Sequence, residues 1–261
     1  MQTGDLGSAL CVITGASRGF GRTLARHVAR WLKPGSVLVL AARSGPDLRA
    51  LQTELTASGT GPAVRCVAAD LATKEGVARV VGAAAEASTQ DVDHLMLVNN
   101  AGSLGDVSRY TRDVVSMSEV DSYLSFNVSS ALCVTTGVLR AVPPRPGLKR
   151  TVVNVTSLCA LQPFPSWVLY CTGKAAREMM FKVLAEEEPD IRVLNYSPGP
   201  LDTAMQAEAR SSTADPGVRD SFSAMFAQGQ LLTCDASCAK LLTVLLKDEY
   251  RSGDHVDFYD L

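Results

Sequence analysis

The chain has 261 residues, a length that allows one or two domains and is common for a single α/β domain. Hydrophobic residues make up 46% and charged residues 20% of the sequence, with 20 glycines and 12 prolines, which excludes a disordered, collagenous or coiled-coil protein. The formal net charge is -2, without a run of lysine or arginine, so we expect no binding to nucleic acid or to an anionic membrane.

The apolar runs and the cysteines favour a cytoplasmic protein. The longest apolar runs, such as residues 37–42, are far shorter than the roughly 20 residues that span a bilayer. Only residues 1–8 precede the apolar stretch that begins at Ala9, and we expect them to be too few for a signal peptide. Seven scattered cysteines argue against a secreted disulfide framework, and Cys234 and Cys238 lack a second ligand pair, so we predict no metal site.

Short apolar runs alternate with longer helical patterns along the chain. The predicted strands are, in chain order, residues 10–14, 37–41, 64–68, 95–98, 151–156, 192–196 and 255–259. The predicted helices are residues 22–31, 46–56, 74–86, 118–139, 170–187 and 235–247. Strands separated by crossover helices run parallel, so this order predicts an α/β fold with one doubly wound, Rossmann-like parallel sheet of about seven strands and helices on both faces.

The chain shows no linker, repeat or low-complexity tract, so we expect a single domain over residues 1–261. The longest stretch without a predicted strand, residues 197–233, contains several prolines and glycines and is expected to form short helical pieces at best. Long loops in compact domains are usually functional. We therefore predict that this stretch is a lid over a binding site.

A glycine-rich turn, Thr14-Gly-Ala-Ser-Arg-Gly-Phe-Gly21, joins the first strand to the first helix. Glycines at such a turn let the chain bend sharply and let backbone N–H groups approach a pyrophosphate at a helix N-terminus. A plain strand-turn-helix connection is the weaker alternative, because the turn lies in the first βα unit. The predicted dinucleotide contacts are Gly15, Ser17, Arg18, Gly19, Phe20 and Gly21.

The second predicted strand ends in Ala41-Ala42-Arg43-Ser44 and lacks the acid that NAD enzymes usually place there. Arg43 and Arg18 are suited to clamp a ribose 2′-phosphate by charge-assisted hydrogen bonds. The pattern therefore favours NADP over NAD, with two solvated surface arginines as the alternative.

Tyr170 and Lys174 stand four residues apart at the start of a predicted helix, which places the phenol and the ammonium on one helix face. A nearby cation is expected to lower the pKa of the phenol and produce a general acid/base. Ser157 follows the fifth strand, at the sheet edge where doubly wound folds bind ligands. The pair alone is more often an ordinary helix face; with Ser157 and the glycine turn it predicts a carbonyl-reducing site.

These features together resemble the short-chain dehydrogenase/reductase superfamily. The shared motifs are T-G-x-x-x-G-x-G, Asn99-Asn100-Ala101-Gly102, Ser157, Tyr170-x-x-x-Lys174 and Pro198-Gly199, and they span nearly the whole chain. The resemblance implies that Asn127 joins the catalytic residues and holds a water in a proton relay to Lys174. It further implies NADP(H) contacts at Ala42, Arg43, Asp70, Leu71, Asn100, Ala101, Gly102, Lys174, Leu201, Thr203, Met205 and Gln206.

A closer resemblance, to the pterin carbonyl reductases of that superfamily, is carried by residues 15–24, 101–108, 157–164, 195–203 and 252–260. It implies a cytoplasmic, NADPH-dependent homodimer that reduces pterin side-chain carbonyls in the last step of tetrahydrobiopterin synthesis. The implied substrate contacts are Ser157, Leu158, Tyr170, Gly199 and Asp257.

Asp257 is implied to anchor the pterin ring, and alternation along the last predicted strand places it on the face opposite Val256 and Phe258. The residues alone leave two other functions open. One is a broad carbonyl reductase for small diketones or quinones, and the other is a noncatalytic NADP-sensing protein on the same fold.

Overall fold

The computed structural model of the protein describes residues 5–57, 59–88 and 91–260. The first four residues, which belong to the short segment considered above as a leader, lie outside this range. Seven strands of the described chain form one sheet in the order β3-β2-β1-β4-β5-β6-β7, and all neighbours run parallel. They are β1 Ala9–Thr14, β2 Val37–Ala42, β3 Ala63–Ala68, β4 His94–Asn99, β5 Lys149–Val155, β6 Ile191–Ser197 and β7 His255–Asp257. The predicted doubly wound fold is confirmed.

The helices cover both faces of this sheet. They are α1 Gly19–Trp31, α2 Gly45–Thr56, α3 Lys74–Ala87, α4 Met117–Leu124, α5 Ser130–Ala141, α6 Val168–Glu187, α7 Ala204–Ser212, α8 Pro216–Ala227 and α9 Cys234–Lys247. Helices α1, α2 and α9 supply one hydrophobic core, and α3, α5 and α6 supply the other. No helix within the described ranges is long and apolar enough to cross a membrane.

Strand β1 shows why the central strands are apolar throughout. Cys11 and Ile13 point into the core that α1 and α9 cover, whereas Leu10 and Val12 point into the opposite core. All four side chains are fully buried. Since both faces of a parallel sheet are covered by helices, alternation gives no polar face here.

Two predicted elements differ from the structure: one helix is interrupted and the last strand is shorter. The predicted helix over residues 118–139 is interrupted by a π-helical turn, Ser125–Ser129, between α4 and α5. The last strand ends at Asp257, and Phe258–Asp260 form a 3-10 turn. The prediction that Phe258 alternates with Asp257 in a strand is therefore wrong. The turn forms because the Asp260 carboxylate accepts the Asp257 N–H at 2.8 Å and the Asp257 carboxylate accepts the Tyr259 N–H at 3.0 Å.

The 197–233 segment holds more regular structure than its composition suggested. It contains two helices, α7 of nine residues and α8 of twelve, where only short helical pieces were expected. The prolines do not break these helices, because Pro198 and Pro200 precede α7 and Pro216 occupies the first turn of α8, where proline is tolerated. The Asp215 carboxylate caps α8 by accepting the Val218 N–H at 3.0 Å.

Candidate active site

The glycine turn after β1 is fastened to the end of β4. The Asn100 amide donates to the backbone carbonyls of Thr14 at 2.8 Å and Gly15 at 3.1 Å. In return, the Thr14 hydroxyl accepts the backbone N–H groups of Asn100 and Ala101, both at 3.1 Å. A Cβ at Gly21 would lie 2.4 Å from the Gly15 carbonyl oxygen, so only glycine permits this approach.

The two arginines proposed for the 2′-phosphate are exposed at the two turns that follow β1 and β2. Within the described residues, no ion pair with an acid involves Arg18 or Arg43; the Arg43 guanidinium lies 6.0 Å from the Phe126 ring centroid. Both guanidinium groups therefore have donors to offer an anion. Ser17 beside them is partly exposed, and Ala42 is buried at the end of β2.

The side chains of Phe20 and Leu71, both predicted NADP(H) contacts, are buried in the structure. The Phe20 side chain is buried in the core and stacks on Tyr196 with ring centroids 6.3 Å apart, so only its backbone belongs to the glycine turn. After β3, the Leu71 side chain is buried while the Asp70 carboxylate is exposed and accepts the Ala72 N–H at 3.0 Å. The second oxygen of the Asp70 carboxylate remains available to a ligand there.

The first two turns of α6 carry the predicted catalytic pair, Tyr170 and Lys174. The Tyr170 phenol is buried, and its oxygen lies 4.0 Å from the Met205 sulfur of α7. The Lys174 ammonium lies 5.5 Å from the centroid of the Tyr170 ring and donates to the Val155 carbonyl at 2.7 Å. Ser157 lies two residues after the end of β5, and its hydroxyl accepts the Cys159 N–H at 3.2 Å and faces the Tyr170 phenol. The structure therefore brings Ser157, Tyr170 and Lys174 together.

The electrostatics of this pair differ from the sequence-based expectation. Burial raises the pKa of the Tyr170 phenol above its ordinary value, although the hydrogen bond with Ser157 and the charge of Arg177 oppose the rise. Burial, and after it the charge of Arg177, lowers the pKa of the Lys174 ammonium to about 7. The expected lowering of the phenol pKa by Lys174 is thus wrong for this structure. The raised pKa keeps the phenol protonated at neutral pH, which is the form a proton donor needs.

Asn127 lies in the π-helical turn between α4 and α5. Its side-chain oxygen accepts the Ser103 N–H at 2.8 Å, and its amide donates to the Tyr123 carbonyl at 3.0 Å. A Cβ on Gly102 would lie 3.4 Å from that side-chain oxygen, so the loop after β4 packs directly on Asn127. Helix bulges of this kind are frequent at functional sites because they redirect backbone carbonyls.

The sequence-based reasoning overlooked Arg177. Its guanidinium is fully buried and donates to Asn154 of β5, to Asn99 at the end of β4 and to Ala101 in the loop after β4. Its position was the available signal, since residues 170, 174 and 177 lie on one helix face.

The 197–233 segment lies over this site. A Cβ on Gly19 would lie 3.6 Å from the Thr203 methyl group, so the N-terminus of α7 approaches the glycine turn. Leu201 pairs with Leu232 in an isolated bridge and packs against the core that α1, α2 and α9 cover. Gln206 is turned inward: its amide donates to the Phe222 carbonyl at 2.9 Å and accepts from Arg210, so it connects α7 to α8 rather than facing the glycine turn.

Two of the predicted substrate residues, Gly199 and Asp257, lie at the ends of β6 and β7. The Asp257 carboxylate accepts the Ser197 hydroxyl at 2.5 Å, in addition to the Tyr259 N–H. A Cβ on Gly199 would lie 3.5 Å from Phe258, so the turn after β6 packs on the turn after β7. Leu158 is 41% exposed in the turn after Ser157, an unusual position for leucine that leaves its side chain free to contact a ligand.

Comparison with known proteins agrees with this geometry. A family model described as short chain dehydrogenase matches residues 9–214. The chain is 53% identical to sepiapterin reductase of Xenopus tropicalis over 99% of both chains, and 52% identical to that of Meriones unguiculatus over 100% of both. The solved structure of L-sorbose reductase from Gluconobacter frateurii, complexed with NADPH and L-sorbose, matches with a TM-score of 0.77 at 27% identity, covering 98% of this chain and 97% of that chain. The chain therefore belongs to the short-chain dehydrogenase family, among its sepiapterin reductase members.

Proposed function

We propose that the chain is an NADPH-dependent reductase of pterin side-chain carbonyls, acting on sepiapterin and 6-pyruvoyl-tetrahydropterin in the final step of tetrahydrobiopterin synthesis. The observation that carries the proposal is the buried, protonated Tyr170 phenol beside Ser157 and Lys174, at the same sheet edge as the Asp257 carboxylate. The full-length likeness to sepiapterin reductases supports the pterin as substrate.

The residues of the glycine turn fit a dinucleotide phosphate. The close approach of Gly21 to the Gly15 carbonyl leaves no room for a side chain, and the start of α1 presents free backbone N–H groups there. Exposed Arg18 and Arg43 would hold the 2′-phosphate, and Lys174 the nicotinamide ribose. When bound, NADPH supplies the hydride.

The chain's own residues then handle the substrate oxygen. Ser157 donates a hydrogen bond to the substrate carbonyl, and Tyr170 gives that oxygen its proton as negative charge develops. The phenolate left behind is stabilised by the positive charge of Arg177, and Asn127 supports the return of a proton through Lys174. Asp257 fixes the other end of the pterin, since each carboxylate oxygen has more than one acceptor position and the protein uses one on each.

The 197–233 segment is proposed as the lid of this single-domain enzyme. Met205, Ala209, Val218 and Phe222 of that segment pack with Trp167 and Tyr170 in one cluster. Closure of such a segment excludes water from a reacting carbonyl. We also propose a homodimer, because Leu132 of α5 and Met179 and Val183 of α6 are apolar side chains that remain exposed. A cytoplasmic location is proposed because all seven cysteines are free thiols.

A direct test of the function is sepiapterin reduction by the purified chain. With NADPH, we expect the cofactor absorbance band to disappear in proportion to the sepiapterin reduced. Reduction of small diketones with no turnover of sepiapterin would favour the broad carbonyl reductase instead. Binding of NADPH without turnover of either substrate would favour the noncatalytic alternative.

Arg43→Ala is expected to weaken NADPH binding by about 1.5 kcal/mol, or about tenfold, because a charged hydrogen bond to the 2′-phosphate is lost. NADH has no phosphate at this position, so its binding should change little. Dissociation constants for both cofactors, from fluorescence titration, measure the difference.

The matched control is Arg30→Ala, which removes an exposed arginine from the last turn of α1. It should leave both affinities unchanged. Equal weakening of NADPH and NADH by Arg43→Ala would show that Arg43 supports the turn rather than the phosphate.

A further inference from the structure

Arg177 is the largest fully buried side chain among those described, and it forms no ion pair with an acid in the described part of the chain. Burying an unpaired charge is costly unless hydrogen bonds surround it. Burial indeed lowers the pKa of this guanidinium to about 10, which still leaves it charged at neutral pH. A neutral side chain would fill the space at a lower cost, so the charge requires a reason.

The hydrogen bonds of Arg177 join three parts of the active site. Its Nε donates to the Asn154 side-chain oxygen of β5 at 2.9 Å. Its Nη1 and Nη2 donate to the carbonyls of Ala101 at 2.9 Å and Asn99 at 2.5 Å, at the end of β4. Nη1 also lies 3.5 Å from the Asn127 carbonyl in the π-helical turn. The planar guanidinium thereby ties the segment that fastens the glycine turn to the helix that carries Tyr170.

The same guanidinium supplies a fixed positive charge to the catalytic pair. It stands one helical turn beyond Lys174, and its charge lowers the pKa of both Lys174 and Tyr170. Other titratable groups face the pair from the surrounding elements. They are Tyr123 of α4, Cys159 of the turn after β5, and Cys171 and Glu178 of α6. Together with these groups, Arg177 faces the pair, and it alone of the five is a permanent cation.

We propose that Arg177 is a positioning residue of the carbonyl reduction. It holds the end of β4 in register with Tyr170 and Lys174, and it places a permanent positive charge where the phenolate forms. The inference rests on the proposed reductase function. The two roles separate experimentally, because the hydrogen-bonding fork and the charge are removed by different substitutions.

The test compares Arg177→Gln with Arg177→Lys in the full-length protein. Glutamine still donates to a strand carbonyl but carries no charge, whereas lysine keeps the charge and loses the planar fork. Turnover is measured against pH in both directions of the reaction, across the range in which circular dichroism shows each variant folded. NADPH affinity is measured alongside.

We expect Arg177→Gln to move the limbs of both pH profiles upward by about one pH unit, because loss of this positive charge raises the pKa of both Lys174 and Tyr170. Arg177→Lys should keep the wild-type limbs and lose about tenfold or more in kcat, since misplacement of the catalytic groups slows the reaction at every pH. Should Arg177→Gln not fold, Asn154→Asp takes its place: a carboxylate against Nε offsets the same charge and must move the limbs upward.

Wild-type turnover is measured first on sepiapterin and on diacetyl, a small diketone. It separates the proposed pterin reduction from the proposed role of Arg177. Turnover of diacetyl alone contradicts the pterin assignment and leaves the Arg177 test in force, whereas turnover of neither substrate overturns both. If the wild type is active and its pH profiles are unmoved by Arg177→Gln, or by Asn154→Asp in its place, the role of the charge is overturned. Unchanged kcat in Arg177→Lys overturns the positioning role.

Discussion

Tyr170→Phe is expected to lower kcat by about 10²- to 10⁴-fold, the usual range for loss of a general acid. The phenol is buried beside Ser157 and Lys174, and its raised pKa keeps the proton in place until negative charge develops on the substrate oxygen. Phenylalanine fills the same space but has no proton to give. The pyrophosphate site is built from the glycine turn on another element, so NADPH affinity should change little.

Tyr196→Phe is the matched control. Tyr196 is also fully buried, and burial raises the pKa of its phenol to about 12, yet its hydroxyl donates to the Ser237 carbonyl at 2.9 Å instead of facing the site. Its loss should cost about 1 kcal/mol of stability and leave kcat unchanged. Steady-state kinetics and NADPH titration of the two variants decide the matter. If Tyr170→Phe kept kcat within twofold, Tyr170 would not be the proton donor.

The catalytic pair was predictable because its information is local. Tyr170 and Lys174 share a helix face by spacing alone, and Ser157 follows a strand whose apolar sequence identifies it. The sheet order follows in the same way from alternating strands and crossover helices. Both predictions need only the regular periods of helix and strand.

Arg177 was missed because its role depends on distant residues. Its partners Asn99, Ala101 and Asn154 lie 23 to 78 positions away in the chain and meet only once the sheet is assembled. On a helix, a single arginine is most simply expected to be solvated, since arginine is rarely buried without a partner. Only the assembled strands show that backbone carbonyls compensate its charge.

The pKa of Tyr170 also could not be predicted from the sequence, because it depends on the assembled fold. The spacing to Lys174 identifies a nearby cation, but the degree of burial is a property of the whole fold. In the structure burial raises the pKa of the Tyr170 phenol, and burial also pushes Lys174 toward its neutral form. The end of β7 was misplaced for a related reason, because paired aspartate contacts rather than strand periodicity determine the turn over Phe258–Asp260.

Asp257→Ala is expected to lower kcat/KM for sepiapterin by about 2 to 3 kcal/mol, equivalent to roughly 30- to 150-fold. A carboxylate accepts two N–H bonds from an amino-pyrimidine, and such directed bonds discriminate far better than apolar walls. Asp257 has acceptor positions left, since each of its oxygens receives one hydrogen bond from the chain, from Ser197 and from Tyr259. A small diketone has no pyrimidine, so its reduction should change little.

Alanine also removes the acceptor that supports the final turn, and two further variants separate this effect. Asp257→Asn keeps an acceptor for Ser197 or Tyr259 but presents an amide N–H to the N–H groups of the pterin, so it should lose as much sepiapterin activity as alanine. Asp260→Ala removes the other carboxylate of the turn, which accepts the Asp257 N–H, and leaves Asp257 in place. If Asp260→Ala matched Asp257→Ala on both substrates, the turn would be structural. If Asp257→Asn retained wild-type kcat/KM for sepiapterin, the pterin would be anchored elsewhere.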